Sequence, residues 1–99
     1  MPLSKLLSRL PSFVMAKEKF PCRDVAQGRR AMARLKKVLE KRVSSELDGV
    51  RVEVEGKGWV LVRPSGTEPL IRMYAEGRTD KDLSAILEEF RPMVLRALQ

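Results

Sequence analysis

Val50-Arg51-Val52-Glu53-Val54-Glu55-Gly56-Lys57-Gly58-Trp59-Val60-Leu61-Val62-Arg63-Pro64-Ser65-Gly66-Thr67-Glu68-Pro69-Leu70-Ile71-Arg72-Met73-Tyr74-Ala75 is the stretch on which the fold turns. Val50, Val52 and Val54 alternate with Arg51, Glu53 and Glu55, the pattern of a strand with one buried and one polar face. Gly56-Lys57-Gly58 is a tight connection into Trp59-Val60-Leu61-Val62, so the two segments are predicted to form a hairpin. Leu70 to Ala75 reads as a further strand, closed by Gly77. Asp48-Gly49 supplies the turn that opens the series.

Working outward, Ser12 to Phe20 is predicted to be a first strand, with an imperfect alternation through Phe13-Val14-Met15-Ala16 and Lys17 to Phe20. From Asp24 to about Arg42 the apolar spacing becomes helical: Val25, Met32, Leu35 and Leu39 share a stripe, flanked by Ala31 and Val38. Asp24 and Gln27 have capping-box spacing, and Gly28 should weaken this helix unless close packing requires it. Ser44-Ser45 reads as a polar linker at the helix end. Thr79 to about Leu98 is the second helix, with Leu83, Ile86, Leu87, Phe90 and Val94 facing the core. Thr79 is its predicted N-cap with Asp82 as partner, and Pro92 is expected to kink or split it near Arg91. The order is β-α-β-β-β-α. It implies an α+β fold, a four-stranded, mainly antiparallel sheet with two helices on one face. Residues 1–11 are set apart as a leader or linker, and 12–99 as one domain.

Ninety-nine residues, 43% hydrophobic and 33% charged, suit a single globular domain with its own core. No apolar run approaches the ~20 residues that cross a bilayer, and the N-terminal decapeptide, interrupted by Lys5 and Arg9, lacks a signal peptide's apolar core. The single cysteine, Cys22, has no internal partner, which suits a reducing cytoplasm. The net charge of +7 is uneven: Arg23, Arg29, Arg30, Arg34, Lys36, Lys37, Lys41 and Arg42 face only Asp24 and Glu40 in the same stretch. The stripe fits the solvated face of an amphipathic helix. Its alternative role is a stand-alone basic module for nucleic acid or an acidic partner. No aromatic side chain is interleaved with these charges, as single-strand stacking would need.

The run Arg63 to Pro69 reads as a phosphate clamp. A guanidinium offers a planar fork of donors matched to phosphate oxygens. The hydroxyls of Ser65 and Thr67, with backbone N–H groups freed by Gly66, can complete such a cradle. Pro64 and Pro69 stiffen the loop and lower the entropy lost on binding. Glu68 opposes an anion; it either points outward, caps the following segment or accepts a ligand hydroxyl. Arg72, alternating with Ile71 and Met73, takes the polar face. It is a secondary candidate for the anion site, with a solvent-facing strand charge as the alternative. Trp59 is assigned to packing rather than to sugar stacking.

The segment Gly58 to Arg72 closely resembles the phosphate-binding segment of the α-D-phosphohexomutases, and the likeness extends through Asp48-Gly49-Val50 and Tyr74-Ala75-Glu76-Gly77. Pro2-Leu3-Ser4-Lys5-Leu6-Leu7 looks like the linker into that family's fourth, C-terminal domain. The resemblance covers nearly the whole chain and implies a TATA-box-binding-protein-like layout. It also implies that Arg63, Ser65, Gly66 and Thr67 hold the non-reacting phosphate of a hexose phosphate during intramolecular phosphoryl transfer between the 1 and 6 positions. A phosphoserine elsewhere would donate and recover the phosphoryl group. The Gly58-Trp59 and Arg63-Pro64 pairs tilt towards the phosphomannomutase/phosphoglucomutase branch.

The catalytic parts of such an enzyme are not in these residues. There is no histidine, no Ser-His-Asn loop, no Asp-Gly-Asp-x-Asp magnesium loop, and no glycine-flanked glutamate loop for sugar recognition. The resemblance therefore implies no catalytic residue here, Mg2+ held outside this chain, and three further domains of the same enzyme as partners. It implies an isomerase activity that this stretch alone lacks. Neither a membrane nor nucleic acid is an expected partner.

Overall fold

The alternation of the valines is realised as a sheet with one buried face. The computed structural model describes residues 13–40, 42–45, 49–65 and 67–99; the leader expected over residues 1–11 lies outside them. Along the chain run β1 (Val14–Pro21), α1 (Val25–Val38), β2 (Val43–Ser45), β3 (Val50–Val54), β4 (Gly58–Pro64), β5 (Leu70–Gly77) and α2 (Asp80–Ala97). The sheet order is β1-β5-β4-β3-β2, antiparallel throughout. All four anticipated strands are present, and three-residue β2 is added at one edge. Ser44 and Ser45, read from sequence as a linker, form part of that strand, with a register shift against β3.

One face of the sheet presents Phe20, Val50, Val52, Val60, Val62, Ile71, Met73 and Ala75, all buried. Both helices cover this face, α2 with Leu83, Ile86, Leu87, Phe90 and Val94, and α1 with Ala31, Met32 and Leu35. A strand shows every second side chain to one side, so Lys17, Lys19, Leu61, Arg63, Arg72, Tyr74 and Trp59 fall on the opposite face, left uncovered by the described elements. Trp59 thus stands outside the core. The Arg51 guanidinium lies 4.4 Å over its ring, and its contribution is cover for half-buried apolar surface plus a cation–π contact.

The helix ends follow their caps. Asp24 Oδ1 accepts from the Gln27 backbone N–H at 2.7 Å, and the Gln27 carboxamide accepts from the Arg23 N–H. Thr79 Oγ1 accepts from the Asp82 N–H at 3.0 Å. Helix α1 stops at Val38, four residues before the expected end: Leu39, itself buried, is the C-cap, and the Arg42 N–H to Leu39 carbonyl bond turns the chain into β2. Lys36 and Lys37 in its last turn complement the negative end of the dipole. Val25 and Val38, expected on or beside the buried stripe, are exposed.

Pro92 does not split α2, which runs unbroken from Asp80 to Ala97. Proline costs roughly 3 kcal/mol inside a helix. Here Phe90 and Val94, fully buried on either side of it, anchor the turn, while Pro92 itself faces solvent. Close packing decides Gly77, where a Cβ would lie 2.5 Å from the Leu83 nitrogen, so the end of β5 meets α2 backbone to backbone.

Gly28 is different. A Cβ there would meet only the Cys22 sulfur, at an ordinary 3.5 Å. Gly28→Ala is therefore expected to stabilise the protein by about 0.5–1 kcal/mol. A rise in the thermal midpoint checks it, and a fall would mean that the Cys22 contact leaves no room.

Candidate phosphate site

The candidate loop joins β4 to β5 and is braced from three sides. The Ser65 N–H donates to the Leu70 carbonyl at 3.0 Å, closing the hairpin, and the Leu70 N–H donates to the Glu68 carbonyl at 2.8 Å. The Cys22 N–H reaches across from the end of β1 to the Pro69 carbonyl at 2.7 Å. Ser65 Oγ accepts from the Glu68 N–H at 3.2 Å. That bond uses an oxygen lone pair and leaves the hydroxyl proton free to donate. Thr67 is exposed at the tip, and Gly66 lies outside the described residues.

The charges gather beside this loop. Arg63 stands directly opposite Arg72 across β4 and β5, and Arg72 stands directly opposite Lys19 across β5 and β1. All three share the uncovered face. Cross-strand like charges repel by roughly 0.2–1 kcal/mol per pair, and one carboxylate relieves them: Glu68 Oε1 lies 3.7 Å from Arg72 Nη2. This counter-ion role is none of the three readings that the sequence offered for Glu68. No ion pair engages Arg63 among the described residues.

Of the sequence candidates, Arg63, Ser65, Thr67 and Arg72 are brought to one end of the sheet. Lys17 and Lys19 were missed. Their alternation signalled a polar face, but nothing local to β1 says that β5 lies beside it. The basic stripe of α1 partly dissolves into structural roles. Arg34 Nη1 caps the end of α2 through the Ala97 carbonyl at 2.9 Å and also donates to the Gln99 carbonyl. Arg42 pairs with Glu89 at 2.9 Å and stacks over Phe90. Arg29, Arg30, Lys36 and Lys37 are exposed, and Lys41 lies outside the described residues.

Among the described residues no nucleophile with its base is assembled here. Burial, and secondarily the Asp24 carboxylate, push the Cys22 thiol up, which keeps the thiolate scarce at neutral pH. Among the described residues no group of three or more His, Cys, Asp or Glu could hold a metal, and no helix is long and apolar enough to cross a membrane. The described residues do not fit a magnesium centre.

Residues 18–93 match the family model described as phosphoglucomutase/phosphomannomutase, C-terminal domain. The chain belongs to that family. The phosphohexomutase domain layout agrees with its relatives in structure: a phosphoglucomutase/phosphomannomutase family protein of Burkholderia thailandensis superposes with a TM-score of 0.67 at 26% identity, covering 95% of this chain and 20% of the other. A probable phosphoglucosamine mutase of Methanothermobacter thermautotrophicus is 39% identical over 94 residues, 91% of this chain and 21% of that relative. The phosphoglucosamine mutase of Methanocaldococcus jannaschii is 39% identical over 98 residues, 97% and 22% respectively. A phosphopentomutase of Thermococcus kodakarensis is 33% identical over 93 residues, 88% and 20%. This phosphohexomutase domain thus spans about a fifth of the length of the curated relatives it matches.

Proposed function

We propose that this domain grips the phosphate group of a sugar phosphate while residues outside it transfer a phosphoryl group, within an intramolecular phosphotransferase of the isomerase class. The observation that carries the reading is Arg63. It is a fixed cation at the mouth of a braced loop, aligned with Arg72 and without a carboxylate partner among the described residues. Arg63 supplies the fork of donors, and the Ser65 hydroxyl, its oxygen already holding the loop closed, donates its proton. Thr67 adds a second hydroxyl and Gly66 a backbone N–H. Arg72 reinforces the charge, and Glu68 yields it as the anion arrives. Nothing in this set makes or breaks a bond. Holding one phosphate still is a positioning contribution, and correct placement can supply several of the ~7–11 kcal/mol available from proximity.

The relatives bear the names of glucosamine, pentose, and glucose or mannose phosphate mutases. Their substrates share a phosphate and differ in the sugar, which supports assigning the shared group to this domain and sugar selection elsewhere. The same reading gives residues 12–99 as the domain and 1–11 as a linker. It makes a hexose phosphate the substrate, with magnesium and the phosphoserine on three companion domains in the cytoplasm. The 99-residue chain alone is then inactive in a mutase assay.

The test is an NMR titration of the 99-residue chain with inorganic phosphate and with mannose 1-phosphate. Amide signals of Ser65, Thr67 and Glu68 are expected to shift with both ligands along saturating curves. Silence of these amides up to high millimolar ligand removes the clamp.

A further inference from the structure

The three-cation rank continues past Arg72, and the loop accounts for only one end of it. Between β1 and β5 on the uncovered face lies a shallow cavity of about 100 Å³, lined by Lys17, Glu18, Lys19, Arg72 and Tyr74. We propose that this cavity is a second anion pocket, suited to a phosphate group and built from Lys17, Lys19, Arg72 and the Tyr74 hydroxyl. The inference goes beyond the loop clamp and does not depend on it.

The register makes the pocket. Lys19 lies opposite Arg72, and Lys17 lies opposite Tyr74, so four side chains capable of donating hydrogen bonds form two adjacent cross-strand pairs on one face. Three acids lie nearby, and Glu76, opposite Met15 on the same face, is the one without an ion pair among the described residues. Glu18, opposite Met73, turns its carboxylate to the helix-covered side, where it accepts from Arg91 Nε at 2.7 and 2.8 Å through its two oxygens and from Arg91 Nη2 as well. Glu68 reaches Arg72 from the loop side at 3.7 Å. Among the described residues neither Lys17 nor Lys19 forms an ion pair.

The pocket therefore keeps a positive balance of charge. Two lysines can swing freely over it on flexible stems, while Arg72, half-buried, is the more fixed member. Arg72 stands between the loop on one side and the pocket on the other. Adjacent strands are about 4.8 Å apart, which puts the backbones of Lys19 and Arg63 roughly 10 Å from each other. That leaves space for two separate anions, one on each side of Arg72.

The experiment is a titration of the 99-residue chain with inorganic phosphate, followed through backbone amides, beside a potassium chloride titration at matched ionic strength. Wild-type signals of residues 17–19 and 72–74 are expected to saturate with phosphate and not with chloride. In the double variant Lys17→Gln/Lys19→Gln, whose changes lie on the solvent face, the half-saturating concentration read at residues 72–74 should rise by about tenfold. The curve read at Ser65 and Thr67 should stay where it was. The pocket is refuted if residues 17–19 do not respond, if chloride reproduces their response, or if the double variant leaves it unchanged. A silent loop with a responsive pocket would sink the clamp alone, and a responsive loop with a silent pocket would sink the pocket alone.

Discussion

Phosphate affinity of the loop is expected to fall by about 10- to 100-fold in Arg63→Ala, with no loss of folding stability. The magnitude follows from the roughly 1.5–3 kcal/mol carried by hydrogen bonds to charged groups. Arg63 is exposed and makes no ion pair with a described residue, so its removal strips nothing from the core. It also removes one of two like-charge contacts made by Arg72, which should raise stability by a few tenths of a kcal/mol. Binding and stability then move in opposite directions, a combination that general damage to the domain does not produce. Arg63→Lys keeps the charge and loses the fork, and an intermediate affinity is expected. Calorimetry or amide titration gives the affinities, and urea unfolding the stabilities. Unchanged affinity in Arg63→Ala would leave the loop without its anchor.

Phe90→Ala is expected to cost about 3–5 kcal/mol of stability. Phe90 is 1% exposed, on the face of α2 that meets the sheet, and the Arg42 guanidinium rests 5.3 Å from its ring centre. Domains of this kind hold only about 5–15 kcal/mol in total, so the variant should unfold near room temperature or soon above it. Urea unfolding should show a lower midpoint with an unchanged slope. A loss below about 1 kcal/mol would show that α2 does not pack on the sheet as described. Phe90 also explains why Pro92 is tolerated. Its burial and that of Val94 hold the helix on both sides of the missing hydrogen bond.

Much of the architecture was legible because the relevant signals are local. The valine alternation, the Gly56 turn and the two N-caps each depend on residues within four positions of one another, and all appear where expected. The errors sit where a local pattern met a non-local contact. The apolar spacing past Val38 suggested more helix, but Leu39 enters the core as a cap and the chain turns back as an edge strand. Trp59 looked like core by size, yet the register puts it opposite Glu53 and Glu76 on the uncovered face. In the site, Arg63 and the hydroxyls were readable from chemistry and spacing. The partner of Glu68 was not, because a carboxylate's choice depends on which cation the neighbouring strand presents.

By itself the amino-acid sequence determined the strands and helices, their order along the chain, and the loop whose composition suits a phosphate. Periodicity and turn chemistry are properties of neighbours in the chain, so they survive without a fold. Only the tertiary structure decided that β1 pairs with β5, joining Val14 to Gly77 at one end and Pro21 to Leu70 at the other, along the full length of both strands. That pairing arises from burying the apolar faces of both strands under α2, a long-range balance that no window of sequence contains. It is also what sets Lys19 beside Arg72 and extends the charge of the loop across three strands.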